Sequence, residues 1–248
     1  YFKNMFETYL YNSYHFVDEE GIDTAGISGS THLLIIPSFT ANGDNQKYYI
    51  DSIFNKAPNL ADKIKSFLSR GGTIYAEGNA AYFIEKLGLL DPGTVNFDYT
   101  FDPDPNTNLL EIEFTDSDHP VAFTQNATGN YVYTNPAPQI NGFDGEVIAR
   151  TPMAQNPVVF ALSGDDANNG RILCNTGLPT IGGTNNIAAG SRQLQWTMNS
   201  ILYAFAKKID VTRSLWNELP DSLTCGKNAI SYNRVDTFEV RVLLRNLS

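Results

Sequence analysis

The segment Thr73-Ile-Tyr-Ala-Glu-Gly-Asn-Ala-Ala-Tyr-Phe-Ile84 has the pattern of a nucleophile elbow: a short apolar strand, a turn of small residues around Gly78, and an apolar helix running to about Leu87. In enzymes built this way the tight strand-to-helix turn holds a Ser or Cys side chain above the sheet edge. Here the apex is Gly78, flanked by Asn79, and glycine has no side chain with which to attack anything. The spacing therefore predicts the scaffold of a nucleophilic site without its nucleophile. Glu77, beside the apex, and His119, in Asp118-His119-Pro120, are the residues left for acid–base chemistry. They would have to meet at the carboxyl ends of the strands, where open α/β sheets bind ligands. The competing reading has Glu77 capping the helix that follows and His119 hydrogen-bonded in a turn.

Three other constellations carry possible chemistry. Asp102, Asp104, Asn106 and Asn108, with Glu113 beyond them, space oxygen ligands at alternate positions as calcium loops do. Thr107 stands where such a loop has glycine and two prolines stiffen the backbone, so a solvated acidic turn with Asx bonds is the alternative. Cys174 and Cys225 could form one disulfide, although Cys174 lies in an apolar strand where a buried free thiol fits equally well. Tyr75, Tyr82 and Asn79 could line a pocket for a sugar or peptide, the alternative being that the aromatic rings are core.

The elements that must position these residues alternate between strand and helix over the first half of the chain, as expected of a parallel sheet with crossover helices. Phe2 to Asn12 reads as a helix, Tyr14 to Val17 as a short strand, and His32 to Pro37 as an apolar strand covered on both faces. Gln46 to Phe54 and Asn59 to Ser69 read as helices broken at Pro58, with Asn59 as N-cap and Arg70-Gly71-Gly72 as a glycine C-cap. Leu60, Ile64, Phe67 and Leu68 share one face of the second helix. Residues 89–141 are rich in Asp, Pro, Asn and Thr and read as a β-rich excursion, with strands at Leu109 to Phe114 and Asn130 to Thr134. Strands resume at Glu146 to Arg150, Pro157 to Leu162 and Gly170 to Asn175, and a helix from Ser191 to Lys207 closes a domain spanning 1–207. In 208–248 the period-two alternation after Asp236 predicts a β segment, which would pack on the main domain or open a β-sandwich module.

With 248 residues, 42% hydrophobic and 18% charged, the chain has ample material for a core. A net charge of −10 argues against nucleic acid or an anionic membrane as partner. No apolar run approaches the roughly 20 residues of a spanning helix. Little Lys with abundant Asn, Thr, Tyr and Gly suits a secreted or cell-surface protein. The chain begins without Met and ends within a strand pattern, so it reads as part of something longer.

The order of elements, the Leu33-Leu-Ile-Ile-Pro37 strand followed by Gly71-Gly72-Thr-Ile-Tyr75, the Asp118-His119-Pro120 turn and the Gly170-Arg-Ile-Leu-Cys-Asn-Thr-Gly-Leu-Pro179 strand together resemble the class I glutamine amidotransferase-like superfamily. The similarity is to its divergent branch of ThuA-like proteins and gliding-motility transport components. The resemblance covers Phe2 to Lys207 and implies an open, mostly parallel flavodoxin-like α/β sheet with helices on both faces, a first strand lying upstream of Tyr1, a β-rich insertion and a C-terminal β segment. It also places the family's nucleophilic Cys at Gly78 and its base His at Leu178, so both catalytic positions are empty, and a thioester mechanism needs both a thiolate and a base. The expectation is a non-catalytic amidotransferase-like domain of a larger bacterial secreted or surface protein, partnered by other domains or subunits of a surface assembly or by a glycan, with no cofactor unless calcium binds. Its rivals are a ThuA-like hydrolase or sugar-processing enzyme using Glu77 and His119, and a carbohydrate-binding module.

Overall fold

The computed structural model describes residues 14–39, 45–101, 109–122, 130–133, 137–162, 170–177 and 196–204. The elements are α1 (Glu19–Ala25), β1 (Leu33–Ile36), α2 (Asn45–Lys56), α3 (Leu60–Ser69), β2 (Thr73–Glu77), α4 (Ala80–Lys86), β3 (Val95–Phe101), β4 (Leu109–Phe114), β5 (Asn130–Tyr133), β6 (Ala137–Ile140), β7 (Glu146–Arg150), β8 (Pro157–Leu162) and β9 (Ile172–Asn175). Residues 196–204 form a further helix, α5. The expected helix Phe2 to Asn12 and the segment 208–248 lie outside the described residues.

Seven strands hydrogen-bond in the order β1-β2-β9-β8-β7-β4-β5, and β3 pairs with β6 in a separate two-stranded sheet. β1, β2 and β9 run parallel, with Tyr75 opposite Leu173 and Glu77 opposite Asn175. From β9 outward the pairing is antiparallel. Within the β-rich stretch, β4 and β5 extend the main sheet through β7, while β3 is held against α4 by the Glu85 carboxylate, which accepts from the backbone N–H groups of Gly93 (3.0 Å) and Val95 (2.7 Å).

The period-two alternation of β2 divides its residues between two cores. Ile74 and Ala76 join Ile22, Ile50, Ile64, Phe67 and Ile84 of α1–α4 on one face. Tyr75 joins Leu173, Ile148 and Val159 with Trp196, Ile201 and Ala204 of α5 on the other. Helices therefore cover both faces of a flavodoxin-like α/β sheet.

The chain is steered into β2 by the end of α3. Gly71 has φ +83, its N–H donates to Leu68 O (2.8 Å) and the Gly72 N–H donates to Phe67 O (2.9 Å). This is a Schellman closure, whose left-handed residue favours glycine.

Three local expectations need correction. Tyr14 to Val17 is not a strand: no neighbour pairs with it among the described residues and Phe16 is exposed. Helix α1 begins directly after it, because Asp18 accepts from Gly21 N–H (2.8 Å) and Glu19 and Glu20 suit the positive end of a helix. Asn59 is already in the helical region and makes no side-chain cap; its N–H instead donates to Asp23 Oδ1 of α1 (2.6 Å). β1 is the edge of the described sheet and only Ile36 in it is buried, whereas β2 and β9 are buried throughout.

Candidate functional site at the carboxyl edge of the sheet

β2 ends at Glu77, turns at Gly78 with φ +59, and enters α4 at Ala80. The Gly78 N–H donates to Asn175 O (2.7 Å), tying the turn to the end of β9. The strand, the left-handed turn and the helix of an elbow are thus all formed, with no side chain at the apex. Asn79 makes no cap hydrogen bond to the helix it precedes. Its carboxamide instead grips the loop after β1: Oδ1 accepts from Phe39 N–H (2.7 Å) and Ser38 Oγ (3.1 Å), and Nδ2 donates to Phe39 O (2.9 Å).

Glu77 does not cap α4. It points to the α5 face, as Tyr75 two residues earlier does, and accepts a hydrogen bond from the Tyr75 hydroxyl (3.1 Å). Only 5% of the residue is exposed. Desolvation by burial pushes its carboxyl up to about 8, against the opposing pull of the Tyr75 hydrogen bond. Near neutral pH Glu77 is therefore chiefly an uncharged acid. Beside it on β9, Asn175 is wholly buried, and neither its Oδ1 nor its Nδ2 has a hydrogen-bond partner.

His119 lies at the other end of the sheet. β7 is three strands from β2, about 14 Å across at the usual strand spacing. Glu146 opens β7 at the level of Ala161 and, through it, of Leu173 and Tyr75, on the amino-terminal side of Glu77. His119 Nε2 sits 3.5 Å from Glu146 Oε1. At that length the contact is electrostatic and not a formed hydrogen bond. His119 Nδ1 accepts from Val121 N–H (3.2 Å), so the ring proton belongs on Nε2, facing the carboxylate. The imidazole packs edge-on against Tyr203 of α5, with ring centroids 4.5 Å apart. The Tyr203 hydroxyl donates to Glu146 (2.9 Å to Oε2), and Arg171 lies over the Tyr203 ring at 3.8 Å while donating to Tyr203 O (2.6 Å). The proximity of His119, then the Tyr203 hydroxyl and Arg171, hold the Glu146 carboxyl below its ordinary range despite partial desolvation. The structure therefore does not bring Glu77 and His119 together.

Tyr75 is wholly buried and Tyr82 nearly so, its hydroxyl donating to Asp51 (3.1 Å), so both rings are core and not pocket wall. Cys174 is a buried free thiol whose ionisation burial makes harder, which leaves it a poor nucleophile. Cys225, Leu178, Asp102, Asp104, Asn106 and Asn108 lie outside the described residues. Glu113, exposed on β4, stands opposite Arg150 of β7. Among the described residues no group of three or more His, Cys, Asp or Glu could hold a metal ion, and no helix is long and apolar enough to cross a membrane. Asn175 was missed in the sequence because a single Asn at the end of an apolar strand carries no signal until the register sets it beside Glu77.

No protein-family model matches the chain, nor does any curated protein. Solved structures do. A Thermoplasma acidophilum protein provisionally assigned as part of a GMP synthase superposes with a TM-score of 0.50 at 13% identity, covering 84% of each chain. A Salmonella typhimurium cytoplasmic protein follows at TM-score 0.47 and 15% identity, over 77% of this chain and 76% of that one. A ThuA-like protein from Bacteroides uniformis gives 0.43 at 14%, over 71% and 92%. At these identities the likeness speaks to fold: the chain has the flavodoxin-like α/β architecture of an amidotransferase-type structure.

Proposed function

We propose that the chain is a non-catalytic domain on an amidotransferase-type scaffold, serving binding or assembly within a bacterial secreted or cell-surface protein. The observation that carries this reading is the elbow itself. The turn keeps its left-handed geometry at Gly78 and offers no nucleophile, while the carboxyl beside it is buried and uncharged near neutrality. A carboxylic acid held neutral and dry neither attacks an acyl carbon nor accepts a proton readily at pH 7. Composition supports the surface assignment, and the strong negative charge supports a partner that is neither nucleic acid nor anionic lipid.

The test is direct. The chain incubated with glutamine and simple primary amides is expected to release ammonia no faster than buffer alone, and cell fractionation with an antibody to the chain is expected to find it in the secreted or surface fraction. Ammonia release that disappears in Glu77→Gln would overturn the non-catalytic reading.

A further inference from the structure

Four asparagines are buried among the described residues: Asn79, Asn156, Asn175 and Asn199. Three of them work as clamps on backbone. Asn79 holds the N–H and C=O of Phe39. Asn156 accepts from Ile140 N–H (2.7 Å) and donates to Pro138 O (3.3 Å), gripping the edge of β6. Asn199 Nδ2 donates to Val121 O (3.4 Å). Asn175 is the most deeply buried of the four, yet both polar atoms of its carboxamide are unpartnered. Each buried polar group left unsatisfied costs about 1–3 kcal/mol, so such groups mark a place where something else belongs.

The surroundings narrow what that is. Asn175 and Glu77 are register neighbours on parallel strands, so their side chains emerge on the same face, one strand spacing apart. That face carries Leu173 and Tyr75, which pack with Trp196 of α5. Trp196 Nε1 and the Ser200 hydroxyl, one helical turn further on, are also buried without partners. The carboxamide edge offers a donor and an acceptor side by side, a pair matched by the N–H and C=O of a peptide group. A bound anion or cation would find no formal charge to meet beside an uncharged Glu77, whereas a peptide group needs none.

We propose that Asn175, with Glu77 beside it, is a recognition site for one backbone peptide group of an extended polypeptide segment, gripped as Asn79 and Asn156 grip this chain's own backbone. This deepens the binding role proposed above and rests on it. The segment comes from a partner protein or from another part of this chain, and the chemistry is the same for either source.

The experiment uses the full chain, 15N-labelled, with N-methylacetamide as a single peptide group and a short glycine peptide capped at both ends as an extended one. Binding is expected as a saturable shift of the Asn175 side-chain NH2 resonances and a rise in Tm. Asn175→Leu, which removes both unpartnered groups while keeping the shape, is expected to be as stable as the parent or more so, and to respond to the probes at least about tenfold more weakly. Glu77→Gln, neutral at every pH, is expected to retain binding above pH 8, where the parent loses it. If the Asn175 NH2 protons already show contacts to a backbone amide within the same molecule, the source is this chain. The same contacts arising only between differently labelled molecules, or only on adding a peptide, make it a partner. No saturable shift with no such contacts, or an ordered water alone on the Asn175 amide, would overturn the proposal. Probe binding accompanied by Glu77-dependent methylamine release would leave this site standing and sink the non-catalytic reading instead.

Discussion

Two glutamates on one sheet meet opposite fates. Glu77 ends β2 at the carboxyl edge, enclosed by apolar side chains, with a single tyrosine hydroxyl for company, and its carboxyl is pushed up to about 8. Glu146 opens β7 nearer the amino-terminal edge, partly in solvent, with a tyrosine hydroxyl, an imidazole and a guanidinium around it, and its carboxyl is held low. The contrast separates an inherited site from a structural cluster. At Glu146 the charge is stabilised by its neighbours and fastens α5 to the sheet. At Glu77 nothing compensates the charge, so the group keeps its proton and becomes a hydrogen-bonding element.

That contrast can be broken most decisively by pH. Between its ordinary value of 4.5 and about 8, Glu77 holds a proton in the folded protein that the unfolded chain has released, so stability should fall as pH climbs through that window. Glu77→Gln should flatten this limb and raise stability at pH 8–9 by a few kcal/mol, at most about 5, in urea denaturation followed by circular dichroism. A variant no more stable than the parent at pH 9 would mean that Glu77 is not desolvated.

Asn79→Ala comes next. It strips Phe39 of partners for both its N–H and its C=O, and should lower stability by about 2–4 kcal/mol in the same assay while speeding amide exchange at Phe39. Little change would show that the carboxyl-edge loop does not depend on this clamp.

Gly78→Ala should cost about 1–2 kcal/mol, because φ +59 is unfavourable for any residue with a Cβ. A neutral result would show that the turn relaxes out of its left-handed geometry.

The smallest effect sits at the other glutamate, with the opposite sign. Glu146→Gln should destabilise by about 1 kcal/mol or less at pH 7, since the cluster is partly exposed. Because the folded-state carboxyl is depressed, its contribution is present above the ordinary carboxylate range and is lost as pH falls through its folded value. Parent and variant should therefore converge in acid. A gap that widened below pH 4 would break the pairing of Glu146 with its neighbours.

Much of the architecture is legible in the chain. The apolar face of Leu60, Ile64, Phe67 and Leu68, the Arg70-Gly71-Gly72 stop, and the strands at Thr73, Glu146 and Pro157 all arise from short-range rules: helical and strand periodicity and the left-handed preference of glycine. Local patterns mislead where a competing signal or a distant partner decides. Tyr14 to Val17 alternates like a strand but has nothing to pair with among the described residues, and Asp18 starts a helix instead. Asn59 has a capping side chain, yet Asp23 reaches it from another helix.

The order of residues was enough to specify the α/β class, the strand-turn-helix at Gly78 and the absence of a side chain at its apex, because each depends on residues adjacent in the chain. That Glu77 lies beside Asn175 and not beside His119 was settled only by the assembled sheet. Which strands become neighbours, and at which end a side chain emerges, depends on sheet order and register, and those are set by the packing of distant apolar faces that no local pattern encodes.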